Sequence, residues 1–214
     1  MEIIARAFFY RKKGLISLLV IFLFFSVSTS TFAEANQMMS TSTIKDINGN
    51  PVVTGKPYYV RAPYSNKGGW NFETYVTTDC ILLSHLDTNT GIPVVFKLNG
   101  KVKESEIPIK GTDEILIQML GAFPTDQYLN FSKKRWIYLD STAKVFHMHT
   151  IPNDKYVNKV RFILGHSTTA HLNFEKELLQ DKYWATFTNI DSQDDIINLG
   201  QTYPNAVFTL IPAD

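Results

Sequence analysis

An all-β domain is what the sequence predicts, and three observations predict it. Short runs dominated by Tyr, Phe, Val, Ile and Thr recur from residue 45 onward, the residue types that suit a half-buried pleated surface. Turn-forming clusters separate them: Asn48-Gly49-Asn50-Pro51, Ser65-Asn66-Lys67-Gly68-Gly69, Asn89-Thr90-Gly91 and Leu98-Asn99-Gly100. The spacing, one strand every ~10–15 residues, leaves no room for crossover helices and points to a sandwich or a barrel. Taken in order, strands are expected near 57–61, 70–75, 80–84, 93–98, 106–109, 115–120, 135–139 and 145–149. A last group follows near 160–164, 171–174, 183–189, 196–199 and 206–211. The one helical pattern is 174–183, where Phe174, Leu178 and Leu179 share a helical face. Twelve or thirteen strands also suit a three-fold repeat of four strands each, over about 45–100, 101–155 and 156–214.

The N-terminus reads as an export signal covering 1–33. Arg6, Arg11, Lys12 and Lys13 precede an apolar run over 15–27, and Thr31-Phe32-Ala33 fits a signal-peptidase site. That run is short of the ~20 residues needed to cross a bilayer. Residues 34–44 are polar and aperiodic and read as a flexible tail, with the folded domain spanning 45–214. Removing four basic residues and one acid turns the net charge of +1 into −2. Such a surface offers no footing for phosphate-dominated nucleic-acid binding. The expectation is a secreted monomer that binds an extracellular partner. Cys80 is the one cysteine, so no internal disulfide and no Cys-based zinc site can form. At the head of Ile81-Leu82-Leu83 it reads as a buried structural thiol.

Several motifs resemble the Kunitz soybean-trypsin-inhibitor family. The opening has Asp46, Gly49-Asn50-Pro51, Gly55 and Tyr58-Tyr59-Val60. Gly68-Gly69, Cys80-Ile81-Leu82-Leu83, Gly91-Ile92-Pro93-Val94-Val95-Phe96 and the closing Pro204, Val207 and Phe208 follow in the family's order. The resemblance is good over 45–98, thin over 99–200, and suggestive at the end. It implies a β-trefoil, a six-stranded barrel capped by three hairpins. It also implies that the loop after Phe96 enters a protease active site, with Leu98, Asn99, Gly100, Lys101 and Val102 in contact and Lys101 at the basic specificity position. Two departures weigh against that activity. The family disulfides are missing, since the region expected to hold Cys80's partner reads 115–121 without a cysteine. Thr54 also stands where many members place an Asn that braces the loop.

Other residues point elsewhere. Trp70, Trp136 and Trp184 fall one per proposed repeat, and exposed indoles in a trefoil would stack on sugar rings, which gives a carbohydrate- or receptor-binding module as the alternative function. Core packing is the ordinary fate of Trp. His147 and His149 share one face of a strand, with His166 and His171 downstream, yet no acidic partner lies close in sequence, so surface histidines are expected. The acidic stretch 191–195 lacks EF-hand spacing and reads as a solvated turn. No Ser/His/Asp order, P-loop or dinucleotide glycine pattern is present, so neither catalysis nor a cofactor is expected.

Overall fold

Apolar residues at every second position decide which side of each strand faces inward. The computed structural model describes residues 42–101, 106–122, 127–131, 136–165 and 167–213. Twelve strands run β1 (Pro57–Arg61), β2 (Trp70–Tyr75), β3 (Thr78–Leu83), β4 (Val94–Leu98), β5 (Ile115–Met119) and β6 (Gln127–Asn130), then β7 (Tyr138–Asp140), β8 (Phe146–Thr150), β9 (Val160–Leu164), β10 (Ala170–Glu177), β11 (Lys182–Asn189) and β12 (Thr209–Pro212). Between β11 and β12 lie two short helices, α1 (Gln193–Ile197) and α2 (Leu199–Thr202).

The pairing closes a ring. β1 pairs with β4, β4 with β5, β5 with β8 and β8 with β9, all antiparallel. The Val160↔Phe208 bridge carries β9 to the segment entering β12, and β12 returns to β1. Each remaining pair of strands is a hairpin: β2–β3, β6–β7 and β10–β11. The three hairpins meet one another. Ile81 N–H donates to Ile137 O at 3.0 Å, Ile137 N–H donates to Ala185 O at 2.8 Å, and Trp184 pairs with Leu82. A six-stranded barrel with a three-hairpin cap is a β-trefoil. The four-strand units, β1–β4, β5–β8 and β9–β12, follow the three-fold spacing read from the sequence.

Barrel and cap share one core. Trp70, Phe96, Phe146, Phe162, Phe174 and Phe208 are all buried in it, and ring centroids 5.3–6.1 Å apart link Trp70 and Phe208 with Phe162 and Phe174. Burying a large aromatic contributes about 1.5–3 kcal/mol each. The opening motif is structural. Asp46, itself buried, accepts from the N–H groups of Asn48 and Asn50 through Oδ1, both at 2.9 Å. This turn lets Gly49 adopt φ +83°.

Several local expectations change. The segment expected as a strand over 196–199 is helical, because Ser192 caps α1 (Oγ accepts from Asp195 N–H, 3.4 Å) and Asp194 and Asp195 sit in its first turn. The same caps turn the acidic stretch 191–195 from a solvated turn into a helix start. The helical pattern at 174–183 is instead the β10–β11 hairpin, with Leu178 and Leu179 exposed at its tip. Phe174 faces the core while those leucines face away, so the shared helical face does not exist. Residues 106–109 make a single isolated bridge, Val53↔Pro108, and no strand. β6 carried no strong sequence signal. Ile44, placed in the tail by composition, is fully buried and donates to Ile109 O at 2.9 Å. Residues 1–33, expected as the export signal, lie outside the described residues. Among the described residues no helix is long and apolar enough to cross a membrane.

Candidate functional site

The loop after β4 is held at both feet. Strand β4 pairs with β5 in an unbroken register from Val94↔Met119 to Leu98↔Ile115, with Val94 and Phe96 in the core. Where the ladder ends, Asn99 N–H donates to Glu114 O at 2.9 Å and its side-chain Nδ2 donates to Glu114 Oε2 at 2.8 Å. The chain then reverses at Gly100, whose φ of +75° places it in the region glycine enters without cost and whose Cβ position faces open space. Lys101 follows, exposed, with its N–H 3.4 Å from Leu98 O. Val102, together with Lys103, lies outside the described residues.

The other foot is Glu106-Ile107, and Thr54 grips it. Thr54 is 2% exposed. Its carbonyl accepts from Glu106 N–H at 2.8 Å, its N–H donates to Ile107 O at 3.0 Å, and its Oγ1 accepts from Ile107 N–H at 3.1 Å. Glu106 itself adopts φ +65°, a left-handed conformation that a non-glycine residue holds only when its surroundings fix it. A Lys56–Glu106 ion pair at 3.7 Å adds little, both partners being exposed. Thr54, which stands where the Kunitz pattern has Asn, is thus bonded to both residues of this foot. A shorter side chain than Asn still reaches the foot of the loop, because backbone pairing between residues 52–54 and 106–109 brings the two segments together.

The other candidate residues lie in different places. Trp70 is fully buried in the barrel core. Trp136 and Trp184 are 4% and 1% exposed and stack on each other at 6.4 Å in an outer cluster with Cys80 and Leu82. Trp184 Nε1 donates to Glu177 Oε2 at 3.1 Å. None of the three indoles presents the exposed face on which a sugar would stack. Cys80 is buried in that cluster, opposite Tyr138 on β7 and not opposite 115–121. His147 and His149 sit on one face of β8 with ring centroids 6.0 Å apart, and His147 Nδ1 lies 3.1 Å from Asp113 O. Against the surface expectation, His171 is fully buried, with Nε2 3.3 Å from Arg161 Nη1. Burial, and then the neighbouring Arg161 charge, push its pKa down to about 3. His166 lies outside the described residues. Among the described residues no three His, Cys, Asp or Glu side chains gather to hold a metal ion.

No protein-family model matches the sequence, and no curated protein matches it at the sequence level. Solved structures do match. A water-soluble chlorophyll protein from Brassica oleracea, in complex with chlorophyll b, superposes with a TM-score of 0.60 at 16% identity, covering 81% of this chain and 99% of its own. A rice bifunctional α-amylase/subtilisin inhibitor gives 0.57 at 15%, over 81% and 99%. Soybean trypsin inhibitor, in its complex with porcine pancreatic trypsin, gives 0.59 at 10%, over 81% and 100%. The fold is therefore the Kunitz soybean-trypsin-inhibitor type of β-trefoil, at a divergence where identity carries nothing beyond the fold.

Proposed function

We propose that this chain is a secreted binding protein that inhibits a serine protease through the loop running from Leu98 to Glu106. Lys101 enters an acidic specificity pocket, and Leu98, Asn99, Gly100 and Val102 complete the contact. One observation carries the reading: an exposed lysine rides on a loop whose two feet are pinned to the barrel, by Glu114 on one side and buried Thr54 on the other. A loop fixed before docking loses little entropy on binding, which is how a small contact reaches high affinity. The same pinning slows release after cleavage, because the two ends stay in place for resealing. The structural neighbours include inhibitors of trypsin and of subtilisin, which supports this class of partner over a catalytic role. Export through the 1–33 leader would place the protein where such proteases act.

Titration of the purified protein against trypsin, chymotrypsin and subtilisin tests the reading. Trypsin inhibition that weakens by about 2–4 kcal/mol on Lys101→Ala is the expected result, the range of a buried anchor at the centre of an interface. Thr54→Ala should leave the first encounter intact but turn the loop into a substrate, seen as faster cutting after Lys101 by mass spectrometry. No inhibition of any of the three enzymes at micromolar protein would defeat the proposal.

A further inference from the structure

A cleft of about 350 Å³ opens on the outside of the cap, between the β2–β3 and β10–β11 hairpins and away from the residues of the Lys101 loop. Its wall at 84–91 is built rigidly. That segment lies flat on Gly68-Gly69, where a Cβ at Gly69 would fall 1.8 Å from Thr90 O and one at Gly68 would fall 2.3 Å from Asn89 O. Gly69 N–H donates to Asn89 O at 2.8 Å, Gly68 N–H donates to Ser84 O at 2.9 Å, and Asn89 Oδ1 accepts from Gly91 N–H at 2.8 Å. The two glycines noted in the sequence thus let the wall approach, and the cleft is shaped before any ligand arrives.

Its chemistry narrows the ligand class. Two cations and two carboxylates line it, Lys67, Lys182, Glu73 and Asp181, beside the imidazole of His85. The four charged groups are engaged already: Lys182 pairs with Glu73, Asp181 pairs with Lys176 at 2.6 Å, and Lys67 lies 5.4 Å from the centre of the Tyr183 ring. A small ion entering here has to disrupt these pairs. The remaining recognition groups are the Gln180 amide, the Asn89 side-chain NH2, the His85 imidazole, the spare lone pairs of the two carboxylates and an apolar surface from exposed Leu86. Asn71 is held by Phe72 N–H at 2.9 Å and Ser84 Oγ at 3.5 Å. Amides both donate and accept, and carboxylates accept from hydroxyls. A neutral polyol with one C–H face satisfies this mixture, and the volume is at the small end of ligand sites, enough for a short saccharide.

We propose that this cleft is a saccharide-binding site, independent of the protease-binding loop. It moves carbohydrate recognition from the three buried tryptophans to a surface that the sequence did not single out. The test is a printed glycan array probed with the whole protein, followed by calorimetry with the best-binding free disaccharide. The discriminating variant is Glu73→Gln with Asp181→Asn. Both positions are exposed, so folding is retained, and Asn tolerates the φ of +51° at residue 181. Affinity should fall at least about tenfold in the double variant, the effect of losing paired hydrogen bonds in a polar site. Lys101→Ala should leave glycan binding unchanged, which separates this site from the inhibitor reading. A silent array, or binding that the double variant does not weaken, would overturn the proposal, as would loss of binding in Lys101→Ala.

Discussion

Strand β9 has two buried faces that are built in opposite ways. Val160 and Phe162 point into the barrel, where Phe162 meets Trp70, Phe96 and Phe208 at centroid distances of 5.3–6.1 Å. Arg161 and Ile163 point outward, yet they are only 1% and 3% exposed. There the guanidinium Nη1 meets the neutral ring of His171, while Nε and Nη2 have no hydrogen-bond partner among the described residues. Burial lowers the Arg161 pKa to about 10, so the group stays charged at neutral pH. On this outer face Arg161 lies beside His171 of β10 and pairs in the sheet with His149 of β8. Ile190, Ile196, Leu199 and Val207 pack with Ile151 and Tyr156 into a second cluster, and Val207 adjoins the Phe208 that bridges Val160. One face is stabilised by its residues. The other encloses a charge with little compensation, which works against stability.

This contrast can be broken or sharpened by experiment. Truncating the inner face should cost most: Trp70→Ala should lower unfolding free energy by about 3–5 kcal/mol in urea titration, through lost burial and an uncollapsed cavity. A cost below about 1 kcal/mol would mean that the barrel centre repacks freely. Arg161→Met should act in the opposite direction. An apolar side chain of similar length removes an uncompensated buried cation, so a gain of about 1–3 kcal/mol at neutral pH is expected. A loss comparable to that of Trp70→Ala would show that the guanidinium is a structural keystone instead.

A third effect depends on pH and comes from His171. Its pKa is about 3 in the folded chain against an ordinary value of 6.5, so the unfolded state binds more protons between those limits. Stability from this residue is complete above about pH 6.5 and is lost as pH falls towards 3. His171→Phe should flatten the stability profile across that window, read from thermal melts at successive pH values. An unchanged slope would show that His171 does not control acid sensitivity on this face.

Legibility followed the range of the interactions involved. The β2–β3 and β4–β5 strands were readable because alternation such as Val94 and Phe96 inward needs only neighbouring residues and a ladder partner close in sequence. The turn at Asn99-Gly100 was readable from its residue types. The hydrogen bonds between Thr54 and Ile107 were not, since they join residues 53 positions apart. Residues 196–199 show the limit of composition: apolar content suggested a strand, while the Ser192 cap and two first-turn acids decided for helix. Likewise Leu178 and Leu179 fit a helical face on paper, and the β10–β11 pairing left them exposed at a hairpin tip.

By itself, then, the sequence determined an all-β chain in three four-strand units, one cysteine without a disulfide partner, and a loop carrying Lys101. Alternation, turn chemistry and counting suffice for these because each is local. Tertiary structure alone decided that all three tryptophans are buried, that His171 is enclosed against Arg161, and that Asn71, Asn89 and Gln180 converge on one cleft. Those facts depend on which strands become neighbours when the barrel closes, and closure joins residues as distant as Tyr58 and Pro212, 154 positions apart. No pattern within a single segment encodes such a distance.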